Sequence, residues 1–378
     1  MYKRKDGRWE GRILKPDGKY RYVYAKTYKE VKEKQKNYQD DGKPRVNAAH
    51  ASSISAAWLF ESWLGGEIVS QVKPSTYENY YRCMQNYVIP FFKSAGHETL
   101  TSNTAAQFAK FIISSTISES YKKKILTIFK TALKEILKNS PESAAIISAV
   151  KLPKLENAEV QVFTISEQRL IENAATHAKD IRALGIILTF YTGIRLGELC
   201  ALKWSDIDYE AGTMSITKTV TRVRNFQSGE NKSTLLVGTP KSHKSMRKIP
   251  LPKFLLNMYK ECRQFCVGEK CYISSGTNIP TDPRAYQKLF KKVLSNAGVK
   301  DRKFHAIRHT FATRALELGI DIKTLSEILG HANVSITLNI YAHSLIEQKK
   351  IAMDRFNELH ATHMISTSIA VPASVVNA

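Results

Sequence analysis

Residues 192–199 read Thr-Gly-Ile-Arg-Leu-Gly-Glu-Leu and follow an apolar stretch, around residues 180–191, that predicts a buried helix. Gly193 permits a sharp backbone turn at the end of that helix. Arg195 comes two residues later, so we expect its charge at the junction between helix and loop. The guanidinium could pair with Glu198, three residues further along the same helical face, or it could bind an anionic group of a substrate. These eight residues leave both interpretations open.

Residues 304–309, Phe-His-Ala-Ile-Arg-His, predict a second polar pair at the edge of an apolar helix. His305 and Arg308 stand three residues apart and therefore project from one helix face. His305 and His309 also have the spacing of an H-E-x-x-H zinc helix, but Ala306 stands where that chemistry needs its glutamate base. A metal-dependent hydrolase is therefore disfavoured, and we expect no metal ion here.

A basic segment lies between these two helices, at residues 239–251, and reads Thr-Pro-Lys-Ser-His-Lys-Ser-Met-Arg-Lys-Ile-Pro-Leu. It predicts a turn that carries Lys241 and is followed by a strand. A basic loop is often only solvated. Lys244 or Lys248 could in principle take the place of Lys241.

Two further polar residues follow a short predicted helix near the end of the chain. Gly330 stands in the usual terminating place, which leaves His331 just beyond the helix cap. Tyr341 follows ten residues later. Taken singly, a histidine after a cap usually bonds a free carbonyl, and a tyrosine at a helix edge usually packs. Only their combination with the two arginines indicates a site.

The charge of the whole chain points to a polyanionic partner. Lys and Arg total 57 against 34 Asp and Glu, for a formal charge of +23 over 378 residues. Such an excess repels itself unless a polyanion shares the surface, so nucleic acid is the expected partner. No apolar run approaches the roughly 20 residues that a bilayer crossing needs, and the charged start leads into no apolar segment. We therefore expect a cytoplasmic protein without a membrane partner.

The cysteines indicate neither disulfides nor a zinc site. There are five, an odd number in a chain without an export signal. Cys262, Cys266 and Cys271 cluster, but they lack the paired C-x-x-C arrangement of common zinc sites. Reduced, structural thiols are expected.

Residues 1–46 are strongly basic, with 15 Lys or Arg against 7 Asp or Glu. Apolar and polar residues alternate on both sides of a Pro-Asp-Gly-Lys turn at residues 16–19, which predicts a small hairpin. A polar helical stretch follows at about residues 28–38. Basic side chains on such a sheet edge suit a duplex groove, although a solvated flap has the same composition. The candidate DNA-binding residues are Arg8, Arg12, Lys19 and Arg21.

Residues 50–150 have helical periodicity throughout. Residues 75–78, Ser-Thr-Tyr-Glu, resemble a capping box. A long helix is expected after Ser120, with apolar residues on one stripe and lysines elsewhere. Lys122 and Lys123 are candidate phosphate contacts on that helix.

The four motifs together resemble the tyrosine recombinase family, also called phage integrases. T-G-x-R-x-x-E-L around Arg195, P-K-x-x-x-S-x-R-x-I-P-L from Lys241 and H-x-x-R-H at His305 occur in the family's order. They are followed by L-G-H, Thr337 and Tyr341 at the usual separations. The resemblance is specific over about residues 160–355 and architectural before them.

The resemblance implies a multidomain α+β fold. Residues 1–46 would be an arm-site DNA-binding domain, with a small basic β-hairpin and a helix. Residues 50–150 would be an all-helical core-site DNA-binding domain. Residues 160–358 would be the catalytic domain, a mixed and mainly helical α/β unit with a small antiparallel sheet. Residues 361–378 would form a C-terminal tail.

The resemblance also implies the chemistry. Tyr341 would attack a DNA phosphate and form a 3′-phosphotyrosine, His305 would accept its proton, and Lys241 would protonate the departing 5′-oxygen. The two arginines and a second histidine would hold the phosphate oxygens. No cofactor is expected, because the phosphotyrosine keeps the energy of the bond and the arginines replace a divalent ion. The six candidate catalytic residues are Arg195, Lys241, His305, Arg308, His331 and Tyr341.

The function implied is an integrase that moves a phage or mobile element into and out of double-stranded DNA. It would use core and arm attachment sites, act as a homotetramer on DNA, and work with DNA-bending or excision accessory proteins. Two alternatives are a DNA-relaxing enzyme like the type IB topoisomerases and a non-catalytic DNA-binding accessory protein. A basic N-terminal unit, which would give a second class of DNA site, favours the integrase.

Overall fold

A computed structural model describes residues 2–3, 7, 9–14, 20–32, 55–155, 160–178, 180–226, 233–240, 243–263, 268, 270–338, 340–341, 350, 353–354, 356–357 and 360. The chain divides into two compact units, Met1–Leu155 and Glu156–Ala378. The division falls between the predicted core-site and catalytic domains; the finer boundary at residue 46 stays a prediction. Within the described ranges, none of the helices combines the length and apolar character that a membrane crossing requires.

The first unit begins with a three-stranded antiparallel sheet in the order β1-β2-β3, formed by Tyr2–Lys3, Trp9–Leu14 and Tyr20–Ala25. The pairing of β2 with β3 runs from Trp9 opposite Ala25 to Leu14 opposite Tyr20. This register confirms the predicted hairpin and adds one short strand. A helical turn follows at residues 28–32, and the Tyr28 ring packs edge-on against Trp9.

In the part of this unit that the structure describes, seven helices follow the sheet, and a π-helical turn, Met84–Val88, joins the third helix to the fourth. They are α1 Ala56–Gly65, α2 Ile68–Gln71, α3 Pro74–Cys83, α4 Ile89–Lys93, α5 Ser102–Ser114, α6 Glu119–Ile136 and α7 Ser143–Ala149. Their core is a cluster of fully buried rings, Phe60, Phe92, Phe108 and Phe129. The tightest ring pair, Phe108 with Phe129, has a centroid separation of 4.6 Å.

The predicted capping box at residues 75–78 is wrong. Helix α3 begins at Pro74, and Lys73 makes no side-chain cap. Proline is suited to the first helical position because it has no backbone N–H to satisfy there. The capping box in this unit is formed by Thr101 and Thr104 at the start of α5.

The described residues of the second unit include seven helices and five strands. They are α8 Ile165–Thr176, α9 Leu184–Thr192, α10 Leu196–Ala201, β4 Ile207–Asp208, β5 Thr213–Ile216, β6 Thr219–Arg224, β7 Ser233–Gly238, β8 Arg247–Pro250, α11 Lys253–Arg263, α12 Pro283–Asn296, α13 His305–Glu317 and α14 Ile322–Leu329. Short 3₁₀ turns occupy Ile181–Ala183, Trp204–Asp206 and His243–Ser245. A further helical segment, at residues 334–338 and 340–341, carries Tyr341.

The strands form two small antiparallel sheets. One has the order β4-β5-β8, and the other is the pair β6-β7. The strand predicted after the Lys241 turn is β8 of the first sheet, and the β6-β7 pair was not predicted. The described part of the unit is therefore mixed and mainly helical, as the resemblance implied.

Helix α9 is the centre of this unit. Almost every one of its residues is buried, and α13 packs against it. Gly193 ends the helix in the left-handed region, with φ of 61°. A Cβ at this position would lie 2.4 Å from Cδ1 of Phe311 on α13. Only glycine therefore allows the chain to leave α9 so close to α13, and this exit places Arg195 beside the polar residues of α13.

Two phenylalanines of α5 test the packing of the first unit. Phe108→Ala should reduce the free energy of unfolding of this unit by about 3–5 kcal/mol, because it empties a fully buried site. Phe111→Ala, on the same helix at a half-exposed position, should cost less than about 1 kcal/mol. Denaturant unfolding followed by fluorescence measures both, and equal losses would contradict this description of the core.

Candidate active site

Arg308 is a buried cation that joins three segments. Its side chain is on α13, and the residue is 2% exposed. One terminal nitrogen donates to the carbonyl of Gly193 at 2.7 Å. The other donates to the carbonyl of Leu329 at 2.7 Å and to Nε2 of His331 at 2.8 Å. Burial, with the positive charge of nearby Arg195, lowers the pKa of the guanidinium to about 9, so it stays charged at neutral pH.

Arg195 stands at the start of α10 and makes the predicted pair with Glu198. Its Nη1 donates to Oε1 of Glu198 at 2.8 Å. Its Nη2 donates to the carbonyl of Gly330 at 3.2 Å. The side chain nevertheless remains 36% exposed. The ion pair therefore orients the guanidinium and leaves part of it accessible.

Glu198 is a buried carboxylate between two arginines. It accepts the backbone N–H of Arg195 at 3.0 Å and a guanidinium N–H of Arg247 at 3.0 Å. Burial opposes ionisation, but Arg247 and Arg195 outweigh it and hold the pKa of Glu198 below its ordinary value. Arg247, on β8, also donates to the carbonyls of Ile328 and Ser245. Glu198 therefore couples α10 to β8, and Arg247 couples β8 to the end of α14.

The structural role of Arg247 could not be predicted from the sequence. Arg247 appears there as the Arg of the S-x-R-x-I-P-L segment, without an assigned role. Its place in that segment is the only sign of a role for Arg247, because the sequence of a strand does not indicate which helix end a side chain will contact.

His331 follows the left-handed cap residue Gly330, which has φ of 65°. Its Nε2 faces Arg308, and its Nδ1 lies 2.8 Å from Oγ1 of the buried Thr337. A guanidinium can only donate, so Nε2 is the acceptor and Nδ1–H donates to Thr337. Burial and the charge of Arg308 lower the pKa of His331 to about 4, which agrees with a neutral ring.

Tyr341 is 3% exposed and lies in the core formed by α13 and α14. Its hydroxyl is 2.8 Å from Nδ1 of His309. Burial raises the pKa of the phenol to about 12, although the charge of Arg308 acts in the opposite direction. At neutral pH the side chain is therefore a protonated phenol.

His305 begins α13 at its solvent-facing edge. The protein around its ring, together with His309, Arg308 and Arg195, lowers its pKa to about 4. Its ring stands edge-on to that of His309, with centroids 4.7 Å apart. The ring of His305 is therefore uncharged at neutral pH.

The structure brings together five of the six predicted catalytic residues. They are Arg195, His305, Arg308, His331 and Tyr341. The sixth, Lys241, lies outside the described residues. Lys244, one of its two possible replacements, places Nζ 3.2 Å from the carbonyl of Ala332, beside His331.

The structure describes the side chains of only some of the predicted DNA-binding residues. Arg8 and Lys19 lie outside the described residues. Arg12 and Arg21 have their backbones paired within β2 and β3, and their side chains are not described. Lys122 is buried, with Nζ 2.6 Å from Oε1 of Glu119, so it offers little ammonium surface to a phosphate. Lys123 is half-buried on the same helix and remains a candidate.

In the described ranges, no three His, Cys, Asp or Glu side chains are placed together to hold a metal ion. His305 and His309 therefore have no third ligand there. Cys83, Cys200 and Cys271 are buried thiols, and Cys266 lies outside the described residues.

The sequence matches the model of the phage integrase family over residues 164–348. It is 31% identical to a protein of Caldanaerobacter subterraneus named "Tyrosine recombinase XerC-like", with 89% of this chain and 91% of that protein covered. It is 24% identical to the ICEBs1 integrase of Bacillus subtilis, with 82% and 85% covered.

Two solved structures have a similar fold. The Tn1549 transposon integrase in complex with transposon right end DNA has a TM-score of 0.63 at 20% identity, with 80% of this chain and 99% of that chain covered. A lambda integrase tetramer bound to a Holliday junction has a TM-score of 0.54 at 19% identity, with 88% and 95% covered.

The charge network around Glu198 predicts a pH-dependent contribution to stability. Glu198→Gln should lower the free energy of unfolding of the second unit by about 3–5 kcal/mol at pH 7, because it leaves Arg247 buried without its counter-ion. The pKa of Glu198 is lowered in the folded protein, so its contribution is complete above the unfolded value of about 4.3 and is lost as pH falls through the folded value.

Urea unfolding from pH 7 to pH 3 measures this contribution. The difference between wild type and Glu198→Gln should narrow in acid. Glu210→Gln, at an exposed position, is the control and should stay within about 0.5 kcal/mol of wild type. A Glu198→Gln difference that is constant with pH would contradict the network.

Proposed function

We propose a mechanism for a chain that belongs to the phage integrase family and is therefore a tyrosine site-specific recombinase. The protein cleaves and rejoins DNA strands through a 3′-phosphotyrosine intermediate on Tyr341, and so integrates and excises a phage or mobile element. The observation that carries the proposal is the Arg308 junction, where a buried guanidinium bonds His331 and the ends of two helices, with Arg195 beside it.

The two arginines would hold the non-bridging oxygens of the scissile phosphate. Each guanidinium has five N–H donors in a fixed plane. Among the described contacts, Arg308 uses three of them and Arg195 uses two. The remaining donors can form charge-assisted bonds to phosphate oxygens, as guanidinium groups favour.

His331 would add a hydrogen bond to the same oxygens. Both of its ring nitrogens are engaged, Nε2 by Arg308 and Nδ1 by Thr337. Only Nδ1 carries a proton in this tautomer, so His331 must exchange its bond to Thr337 for one to a phosphate oxygen. A neutral imidazole can make this exchange without releasing a proton.

The cleavage step needs an in-line nucleophile, a proton acceptor and a proton donor. Tyr341 is the proposed nucleophile, and its phenol must lose a proton as the oxygen attacks. By resemblance, His305 supports this step and Lys241 protonates the departing 5′-oxygen. The 3′-phosphotyrosine keeps the bond energy, so rejoining needs no ATP, and the arginines stabilise charge that a divalent ion stabilises in other enzymes.

The proposal extends to the assembly and its DNA. The basic sheet at residues 1–46 would bind arm sites, and the helices of residues 50–150 would bind core sites on double-stranded DNA. Exchange between two duplexes would use a homotetramer, the assembly in which lambda integrase was solved on a Holliday junction. DNA-bending or excision proteins would assist, in the bacterial cytoplasm or nucleoid where the substrate lies.

Strand transfer separates this function from its alternatives. With element-end and target DNA, an integrase gives recombinant product, a type IB topoisomerase-like enzyme relaxes supercoiled DNA without it, and an accessory protein does neither. The basic N-terminal sheet favours the integrase, because relaxation needs only one class of DNA site.

Tyr341→Phe tests the nucleophile directly. This variant should bind element-end DNA as wild type does and form no covalent adduct on a nicked suicide substrate, because the phenyl ring has no attacking oxygen. Tyr209→Phe, which removes a hydroxyl elsewhere in the same unit, should form the adduct at the wild-type rate. Denaturing electrophoresis measures the adduct, and an adduct from Tyr341→Phe would refute the assignment.

A further inference from the structure

His309 is the residue that touches the hydroxyl of Tyr341. Its Nδ1 lies 2.8 Å from the phenolic oxygen, which is hydrogen-bond distance. Both side chains are within the protein, Tyr341 buried and His309 half-buried. In the sequence, His309 is the second histidine of a zinc spacing that lacks its glutamate and the last residue of H-x-x-R-H, with no role assigned to it.

The protonation states of the two groups define the direction of this bond. Tyr341 is a neutral phenol, because burial raises its pKa to about 12. Burial and the charge of Arg308 lower the pKa of His309 below its ordinary value. A neutral imidazole has one donor and one acceptor nitrogen. The phenol O–H therefore donates to Nδ1, and the ring proton of His309 is on Nε2.

His305 is arranged differently. Among the described contacts it makes no hydrogen bond to Tyr341, and its ring meets His309 edge-on at 4.7 Å. It lies at the solvent-facing edge of α13, one helical turn before His309. The charged and titratable groups that face His309 are therefore Arg308 and His305 from α13 and Tyr341 from the terminal helical segment.

We propose that His309, through Nδ1, is the group that accepts the Tyr341 proton during cleavage, and that His305 serves as a phosphate contact. The inference rests on the proposed function, with Tyr341 as nucleophile. As the phenolic oxygen bonds to phosphorus, its O–H bond breaks and the proton moves to Nδ1. The bond from phosphorus to the 5′-oxygen breaks with its electron pair on that oxygen, which takes a proton from Lys241. On rejoining, the 5′-hydroxyl oxygen bonds to phosphorus and its proton returns to Lys241. The bond from phosphorus to the Tyr341 oxygen breaks, and the imidazolium returns its proton to that oxygen.

Two substitutions separate proton transfer from positioning. His309→Asn keeps a hydrogen-bonding group near the position of Nδ1 but cannot take a proton. His309→Ala removes both properties. His177→Asn is the matched control, because His177 is exposed at the end of α8 and bonds the carbonyl of Asn173 in its own helix.

A substrate with sulfur at the 5′-bridging position distinguishes loss of the general base from loss of the general acid. A thiolate, with a pKa near about 8.5, leaves without a proton donor. This substrate should therefore restore cleavage by Lys241→Ala and leave the His309 variants slow. Single-turnover adduct formation from pH 5.5 to pH 8.5 supplies the rates for both substrates.

We expect both His309 variants to bind DNA as wild type does and to form adduct about 10²-fold or more slowly at pH 7.5. The wild-type rate should fall in acid as His309 becomes protonated, and His309→Asn should lose this acidic limb. His177→Asn should match wild type. His309→Asn that keeps the wild-type rate and pH profile, or His309 variants that the sulfur substrate restores, would overturn the inference. Tyr341→Phe in the same assay reports separately on the proposed function.

Discussion

The buried guanidinium of Arg308 is the constraint on which the arrangement of this site depends. A cation that is 2% exposed is costly unless hydrogen-bond acceptors replace the lost water. Here the acceptors are the carbonyls of Gly193 and Leu329, at the ends of α9 and α14. These carbonyls are at the negative ends of two helix dipoles. They therefore accept hydrogen bonds from Arg308 and also stabilise its positive charge. The same bonds fix the positions of the segments that carry Arg195 and His331.

The site as a whole carries more positive charge than its single buried carboxylate balances. Glu198 sits between Arg195 and Arg247, and Arg308 adds a third guanidinium. Desolvation by the surrounding protein, assisted by this positive charge, lowers the pKa of each histidine in the cluster and keeps the rings neutral. A DNA phosphate would supply the missing negative charge. The described site therefore has a net positive charge, which favours an anion over a neutral group.

The sequence predicted those parts of the site that depend on local spacing. The three-residue step from His305 to Arg308, the left-handed turns at Gly193 and Gly330, and the hairpin from β2 to β3 follow from helix and strand periodicity. The partners of Arg247 could not be predicted in this way, because Glu198 and Ile328 lie on helices that are distant in the sequence. The contact from His309 to Tyr341 also depends on tertiary packing across 32 residues. The β6-β7 pair was missed because the buried valines of β6, Val220 and Val223, stand three residues apart and lack the period of two that predicts a strand.

The attachment of DNA to a single oxygen atom is the central claim, and mapping that attachment tests it most directly. The covalent adduct of the wild-type protein with a suicide substrate can be digested with protease and nuclease and sequenced by tandem mass spectrometry. The account predicts one modified peptide, with a nucleotide joined through its 3′-phosphate to the oxygen of Tyr341. A nucleotide on any other residue, or one joined through a 5′-phosphate, would contradict it.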